Sequence, residues 1–225
     1  RFDVKKLWNI SPLATVGCIV VGLTNAAFRN LGPIYAHDIG LSVTAIASFM
    51  SAGIVGGVVL QYPLGIYSDR LDRRLVILVA TLGSALAALY LAFFAGGDEW
   101  KNLVGIFVFG AFAMPLYSLC SAHANDHAGE GEHALVSAGM LFFWSCGAII
   151  GPLFASILLQ VFGPQALFLY TAVVLVAFMG YTALRISARP AVPAGERRSR
   201  FRNLLRTSFF FNKLAASEKD RNGRR

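Results

Sequence analysis

Charged residues are scarce in this sequence: Asp, Glu, Lys and Arg make up 14% of its 225 residues. Soluble domains carry about 25% charged residues, so this chain has too few to cover a surface that faces water. Hydrophobic residues reach 56%, and the mean hydropathy is +0.60. These proportions exclude an ordinary soluble domain and indicate that lipid is the main solvent.

Familiar enzyme signatures are also missing. The sequence has no Walker phosphate loop, no Gly-x-Ser-x-Gly and no His-Glu-x-x-His. Its three cysteines, Cys18, Cys120 and Cys146, lie far apart in apolar stretches without metal-ligand spacing, which is typical of small packing residues. We therefore expect no enzymatic activity, no cofactor and no metal site.

Apolar runs long enough to cross a bilayer recur along the chain. A hydrocarbon core of about 30 Å takes about 20 helical residues to span. These runs are apolar nearly all round, and they lack the strict alternation of an outer-membrane barrel. We predict an all-α integral membrane protein with a linker (1–12), a transmembrane domain (13–186) and a basic tail (187–225). The six predicted spans are Leu13–Ala36, Leu41–Ile66, Leu75–Phe94, Leu103–Cys120, Ala134–Val161 and Gln165–Ile186.

Lys and Arg are distributed alternately between the loops. Cytoplasmic loops of membrane proteins carry the excess of positive charge. The basic groups are Arg1, Lys5 and Lys6 before the first span, Arg70, Arg73 and Arg74 after the second, and the tail after the sixth. This pattern predicts that both termini are cytoplasmic, in a cell inner membrane.

The net charge of +8 lies in the tail. Residues 1–186 hold nine Lys and Arg against nine Asp and Glu, whereas residues 187–225 hold eleven against three. Basic residues next to a membrane serve topology and bind anionic headgroups, so the expected partner is the lipid bilayer and not nucleic acid. Helical spacing of Phe201, Leu204, Leu205 and Phe209 favours a helix on the membrane surface, and a disordered tail remains an alternative.

One loop motif is specific enough to indicate a protein family. The run Gly65-Ile-Tyr-Ser-Asp69-Arg70-Leu-Asp72-Arg73-Arg74 resembles the loop signature of the major facilitator superfamily, with Asp72 in place of its second Gly. Gly147-Ala-Ile-Ile-Gly151-Pro152 looks like the family's Gly-x-x-x-Gly-Pro helix. Two further runs, Ser121–His127 and Gly32-Pro33-Ile-Tyr35, are similar to its YcaD-like branch.

The resemblance covers residues 1 to about 186 and implies a fold and a function. It implies the C-terminal half, two three-helix repeats, of a transporter whose N-terminal six-helix half is missing here and would be its partner. The expected function is that of a secondary transporter, a permease that moves a small-molecule substrate by alternating access. The alternatives are a non-transporting receptor or assembly factor on the same fold, and a metal-dependent membrane protein.

The loop motif also has a physical interpretation of its own. A carboxylate at the end of a helix can cap a neighbouring helix or pair with an Arg, and so hold two helix ends together in one state and release them in another. We interpret Gly65, Asp69, Arg70, Arg73 and Arg74 as a gating motif in which Asp69 is the latch. By resemblance, its partner is the fifth helix of the missing half. Alternatively, the arginines only enforce topology.

Arg29 is the only charged residue well inside a span, and Asn25 lies one helical turn before it. An Arg in the membrane costs at least about 2.5 kcal/mol, so it normally faces water or a buried partner. We predict that Asn25 and Arg29 line a cavity and contact a substrate, which would then be anionic. Two alternatives remain: Arg29 snorkels to the headgroups, or it pairs with a carboxylate of the missing half.

Other polar and aromatic positions are weaker candidates for the same cavity. They are Ser48, Ser51, Tyr117, Ser121 and Trp144, and helix packing is the alternative role for each of them. Gly147, Gly151 and Pro152 are predicted to serve helix packing. Pro63, Pro115 and Pro152 are expected to bend or break their helices.

The polar stretch from His123 to His133 contains three His and three carboxylates. His123 and His127 have the i, i+4 spacing of a helical metal pair. No Cys contributes and the glycines loosen the stretch, so we favour capping and packing of the helix ends over a metal site.

Overall fold

The computed structural model describes residues 4–129 and 131–188, so the predicted tail, with its surface helix, lies outside the described residues except for Ser187 and Ala188. In that part of the chain the regular structure is helical throughout. The helices are α1 (Val4–Ile10), α2 (Pro12–Asp38), α3 (Val43–Arg70), α4 (Arg73–Phe93), α5 (Glu99–Ala113), α6 (Leu116–Asp126), α7 (His133–Phe162) and α8 (Ala166–Ala188).

Six stretches among these helices are long and apolar enough to cross a membrane, with α5 and α6 together forming one of them. The predicted all-α, six-span fold is therefore confirmed. Pro115 separates α5 from α6, as expected of a residue that has no N–H to donate. Pro63 and Pro152 do not break their helices, because α3 and α7 continue through them.

The spans pack in pairs around α2, which is the most buried of them. α2 packs along α7 and also contacts α6 and α8, whereas α3 packs along α5, and α4 packs against α5 and α8. α3 and α7 bury the smallest share of their surface. These two helices therefore offer the largest uncovered faces of the bundle.

Glycine lets α2 and α7 approach each other closely. A Cβ on Gly147 would clash with the carbonyl oxygen of Ile19, and a Cβ on Gly151 would clash with the carbonyl oxygen of Leu23. Backbone lies directly against backbone at both points, so a side chain has no room to turn away. This crossing sets the position of α7 relative to the central helix.

The short helix α1 is docked onto the start of α7. Leu7 is fully buried and its side chain fills the space that a Cβ on Gly139 would need. Lys6 forms an ion pair with Glu132 at 2.5 Å. We call this end of the bundle, which also carries Arg70, Arg73 and Arg74, the basic end.

Candidate functional site: a buried charge cluster at the basic end

Arg73 is the centre of a buried cluster at the basic end. Its guanidinium is 2% exposed, and Nη2 lies 2.8 Å from Oδ1 of Asp69. Nε lies 2.6 Å from Oδ2 of Asp126, in an ion pair without the geometry of an aligned hydrogen bond. Nη1 donates to Oγ of Ser68 at 3.1 Å. These four residues, the Arg73 cluster, join the ends of α3, α4 and α6.

A short turn between α3 and α4 places Arg73 in the cluster. α3 ends at Arg70, and α4 begins at Arg73. Asp72 caps α4, because its carboxylate accepts a hydrogen bond from the backbone N–H of Arg74 at 3.0 Å. Asp72 has φ −62°, so the residue in place of the signature's second Gly needs no left-handed backbone.

Arg74 and Asp72 form a second ion pair beside the cluster. Nη2 of Arg74 lies 3.1 Å from Oδ2 of Asp72, and Arg74 is 7% exposed. Burial raises the pKa of Asp72, but the hydrogen bonds from the side chain and backbone of Arg74, together with its charge, bring the pKa below the usual value. Asp72 therefore carries a negative charge at neutral pH.

The Arg73 cluster holds three helix ends together, and loss of one of its charged partners should lower stability strongly. Arg73 and Asp126 are 2% and 3% exposed, whereas Asp69 is 26% exposed. Burying a charge pair adds little net stability, but removing one member leaves the other charge uncompensated in a poorly hydrated site. Asp69 is the member at the edge of the cluster, where another helix can reach it.

Two histidines lie at the end of α6, and one of them is buried while the other is exposed. His123 is 8% exposed, and its ring centroid lies 4.7 Å from that of His127. Nδ1 of His127 donates to the carbonyl oxygen of His123 at 2.9 Å, and Nδ1 of His133 lies 3.1 Å from Oδ1 of Asn125. Across residues 4–129 and 131–188, no three side chains of His, Cys, Asp or Glu come together as metal ligands.

The structure separates Asn25 from Arg29. Asn25 is 6% exposed and its Nδ2 donates to the carbonyl oxygen of Ala113, the last residue of α5, at 3.4 Å. Its Oδ1 is buried without a hydrogen-bond partner. Arg29 is exposed, and no carboxylate of the described ranges pairs with it. Asn25 thus contributes to helix packing, and Arg29 alone presents its charge at the surface of the half.

The weaker cavity candidates fall into two groups. The rings of Tyr117 and Trp144 pack edge to face with centroids 6.4 Å apart, and both residues are half-buried, as is Ser121. Ser48 and Ser51 line a different, mainly apolar pocket of about 510 Å³ between α3 and α5. A role for either group in substrate binding stays a prediction.

Sequence reasoning missed Asp126 as a partner of Arg73. The sequence places Asp126 in the polar stretch from His123 to His133, whereas the structure makes it the last residue of α6, at the basic end. The available signal was a carboxylate that follows the fourth predicted span, on the same predicted side of the membrane as the basic turn after the second span. The pairing with Arg73 was not predictable because the two residues lie far apart in the sequence.

Comparison with known proteins now identifies the family. Residues 14–217 match the Major Facilitator Superfamily, and the chain belongs to it. An uncharacterised MFS-type transporter of Enterobacter sp. is 26% identical over 160 residues, and the uncharacterised MFS-type transporter YcaD of Shigella flexneri is 28% identical over the same length. Each alignment covers 71% of this chain and 41% of the relative. The chain therefore spans about two-fifths of the length of these curated relatives.

Solved structures show the same fold. The POT family transporter PepTSo superimposes with a TM-score of 0.69 at 18% identity, over 83% of this chain and 39% of that chain. An auto-inhibited POT family peptide transporter superimposes with a TM-score of 0.68 at 16% identity, with the same coverage. The chain is thus a multi-pass membrane protein with the fold of about half an MFS transporter.

Proposed function

We propose that this chain is the C-terminal half of a secondary transporter that moves a small anionic solute by alternating access. The observation that carries the proposal is the Arg73 cluster, in which one buried guanidinium joins the ends of three helices through Asp69 and Asp126. A static bundle has no need of charges in such a place, since apolar residues would join the helices at least as well. A gate needs a tie that can be made and released.

The two carboxylates of the cluster have different parts in this mechanism. Asp126 is held deep between α4 and α6, so it keeps Arg73 in place while the cluster is assembled. Asp69 is more accessible, and it can also bind a helix of the N-terminal half when the two halves close at the basic end. The latch is thus assembled when the basic end is closed and released when the basic end opens, as alternating access requires.

The basic end is assigned to the cytoplasm on the distribution of positive charge. Lys5, Lys6, Arg70, Arg73 and Arg74 are at this end, whereas the opposite end has Lys101, near the start of α5, as its Lys or Arg among the described residues. This orientation places the Arg73 cluster at a cytoplasmic gate in a cell inner membrane. The uncovered faces of α3 and α7 are assigned to the N-terminal half.

Arg29 supports an anionic substrate. It lies nine residues before the end of α2, or about 13 Å along the helix axis, which places it inside the hydrocarbon layer. It is exposed in this half without a carboxylate partner among the described residues. A hydrated cavity between two halves would satisfy such a charge, and a carboxylate or phosphate of a solute would pair with it.

Transport by the full-length protein in liposomes tests both the latch role of Asp69 and the contact of Arg29 with an anionic substrate. Labelled anionic, neutral and cationic solutes are screened with and without a pH gradient. We expect uptake of an anion that falls in Asp69→Asn and is lost in Arg29→Gln, with partial retention in Arg29→Lys. Lys101→Gln, which removes an exposed cation at the opposite end of the bundle, is the matched control and should transport normally.

Each outcome bears on one claim. A wild-type rate in Asp69→Asn contradicts the latch, and unchanged anion uptake in Arg29→Gln contradicts substrate contact. If no solute of any charge is moved by the wild-type protein, the chain belongs to a receptor or assembly factor on the same fold.

A further inference from the structure

His123 is a buried titratable group that the latch mechanism leaves unused. It lies in the last turn of α6 and is 8% exposed. The charges that act on it are those of His127 on its own helix, Arg73 and Arg74 on α4, and Asp72 in the preceding turn. α2 and α7 also pack against α6, and in the described ranges they add no charged group to this set.

The neutral imidazole fits this position, and the imidazolium does not. Asp72 already neutralises Arg74, and Asp126, three residues after His123, is engaged by Arg73. A proton on His123 would add a positive charge beside two fixed cations, in a site with little access to water. Burial is the main factor that disfavours the charged ring, and the two arginines add to it, so the charge can be accommodated only when water reaches the ring, as it does if α6 moves away from α4.

His127 connects the buried ring with water. Its side chain is exposed, and its Nδ1 bonds to the carbonyl oxygen of His123, which can only accept. Nδ1 therefore carries the hydrogen, and Nε2 is the basic nitrogen of neutral His127. The two ring centroids lie only 4.7 Å apart. If α6 moves away from α4, the water that surrounds His127 therefore also reaches His123.

We propose that His123 is a proton-binding site that controls the latch: its ring is neutral while the Arg73 cluster is assembled, and it takes a proton from water at the basic end when α4 and α6 separate. The proposal rests on the proposed function, since it assigns a trigger to the same gate. It makes the gate sensitive to the pH on one side of the membrane. Acidification there favours the released state.

The size of the effect has an upper bound. A single titrating site changes the ratio of released to assembled states by at most about tenfold per pH unit, because one proton is taken up per opening event. The change falls around the ordinary range of histidine, between about pH 5.5 and 7.5, if the ring is hydrated in the released state.

Thiol labelling of the full-length protein in liposomes measures the opening directly. Ala124, beside His123, is fully buried, so Ala124→Cys in a background without the native cysteines reports whether the site becomes accessible to a water-soluble maleimide. Rates are divided by those of Asn9→Cys, which is exposed at the same end, to remove the pH dependence of the thiol itself. We expect the normalised rate to rise severalfold from about pH 7.5 to 5.5, in proportion to protonation of a histidine.

Substitution of the histidines decides the assignment. His123→Gln should abolish the rise, and His133→Gln, at an exposed histidine of the same end, should retain it. A rise of the same size in His123→Gln overturns the proposal, as does a flat profile in the parent protein. If Ala124→Cys does not fold, ¹⁵N NMR of labelled imidazoles gives the same decision: the titration of one buried ring must disappear in His123→Gln.

The proposed function can fail separately. If labelling follows His123 while Asp69→Asn transports at the wild-type rate, the proton site stands and the latch role of Asp69 does not. If Asp69→Asn abolishes transport while labelling is independent of His123, the latch stands and the proton site does not.

Discussion

Arg73 of α4 and Asp126 of α6 form an ion pair of 2.6 Å in which both side chains are almost completely buried. Asp69 lies on the other side of the same guanidinium but is 26% exposed. The two carboxylates therefore share one cation in different surroundings. Their substitution should have different effects on stability.

Asp126→Asn should destabilise the protein more than Asp69→Asn. Removing one member of a buried pair costs about 3–5 kcal/mol, because the remaining charge stays desolvated, and water can compensate part of this loss at Asp69. Thermal unfolding of the full-length protein in detergent measures the order. Glu99→Gln, at an exposed carboxylate, is the control. Equal unfolding temperatures for Asp126→Asn and the control would show that the buried pair does not hold the helices together.

The capping residue Asp72 should give stability a dependence on pH. Its pKa in the folded state lies below the ordinary value of 3.8, so its ionised form stabilises the fold above that pH, and this contribution is lost as the pH falls through the folded-state pKa. Asp72→Asn keeps an N-cap but removes the charge. We expect its unfolding temperature to lie below that of the wild type near neutral pH and the gap to close on acidification.

Asp72→Ala separates the cap from the charge. Loss of the cap costs about 0.5–2 kcal/mol at every pH, so this variant should remain less stable than the wild type even in acid. Superimposable curves for the wild type and Asp72→Asn at all pH values would mean that the carboxylate charge contributes nothing.

Gly147→Leu should disrupt the packing of α7 on α2. Any side chain at Gly147 meets the backbone of Ile19, which cannot move without displacing the helix. Gly180, on α8, has open space where its Cβ would be, so Gly180→Leu is the matched control. We expect Gly147→Leu to yield aggregated protein in size-exclusion chromatography and Gly180→Leu to elute as the wild type. A monodisperse, thermally unchanged Gly147→Leu protein would contradict this helix crossing.

Leu7→Ala should release α1 without unfolding the spans. Leu7 fills the notch at Gly139, and truncating a buried Leu costs about 2–5 kcal/mol. Lys6→Gln should have a smaller effect, since the Lys6–Glu132 pair is partly exposed. Hydrogen exchange of residues 4–10 measures docking, with exposed Asn9→Ala as the control. Exchange that is equally slow in all variants would show that Leu7 does not hold α1.

The six spans and the basic turn after the second of them were predictable because they depend on local sequence. Lipid offers no hydrogen bonds to the backbone, so a long apolar run has little choice but to form a helix. The loop motif from Gly65 to Arg74 is likewise contiguous, and its resemblance to the family could be identified without coordinates. The break at Pro115 follows from the missing N–H of one residue.

Contacts between distant segments depended on the tertiary structure. Asn25 and Arg29 share a helical period, yet the end of α5 covers Asn25 and leaves Arg29 open. Asp126 joins Arg73, and His123 comes beside both arginines, only because α6 packs against α4 at the basic end. The sequence alone therefore determined which segments enter the membrane, since that choice rests on the solvent. Which charges meet at the basic end was decided by helix packing, because periodicity gives a side chain its direction but does not say which residue it contacts.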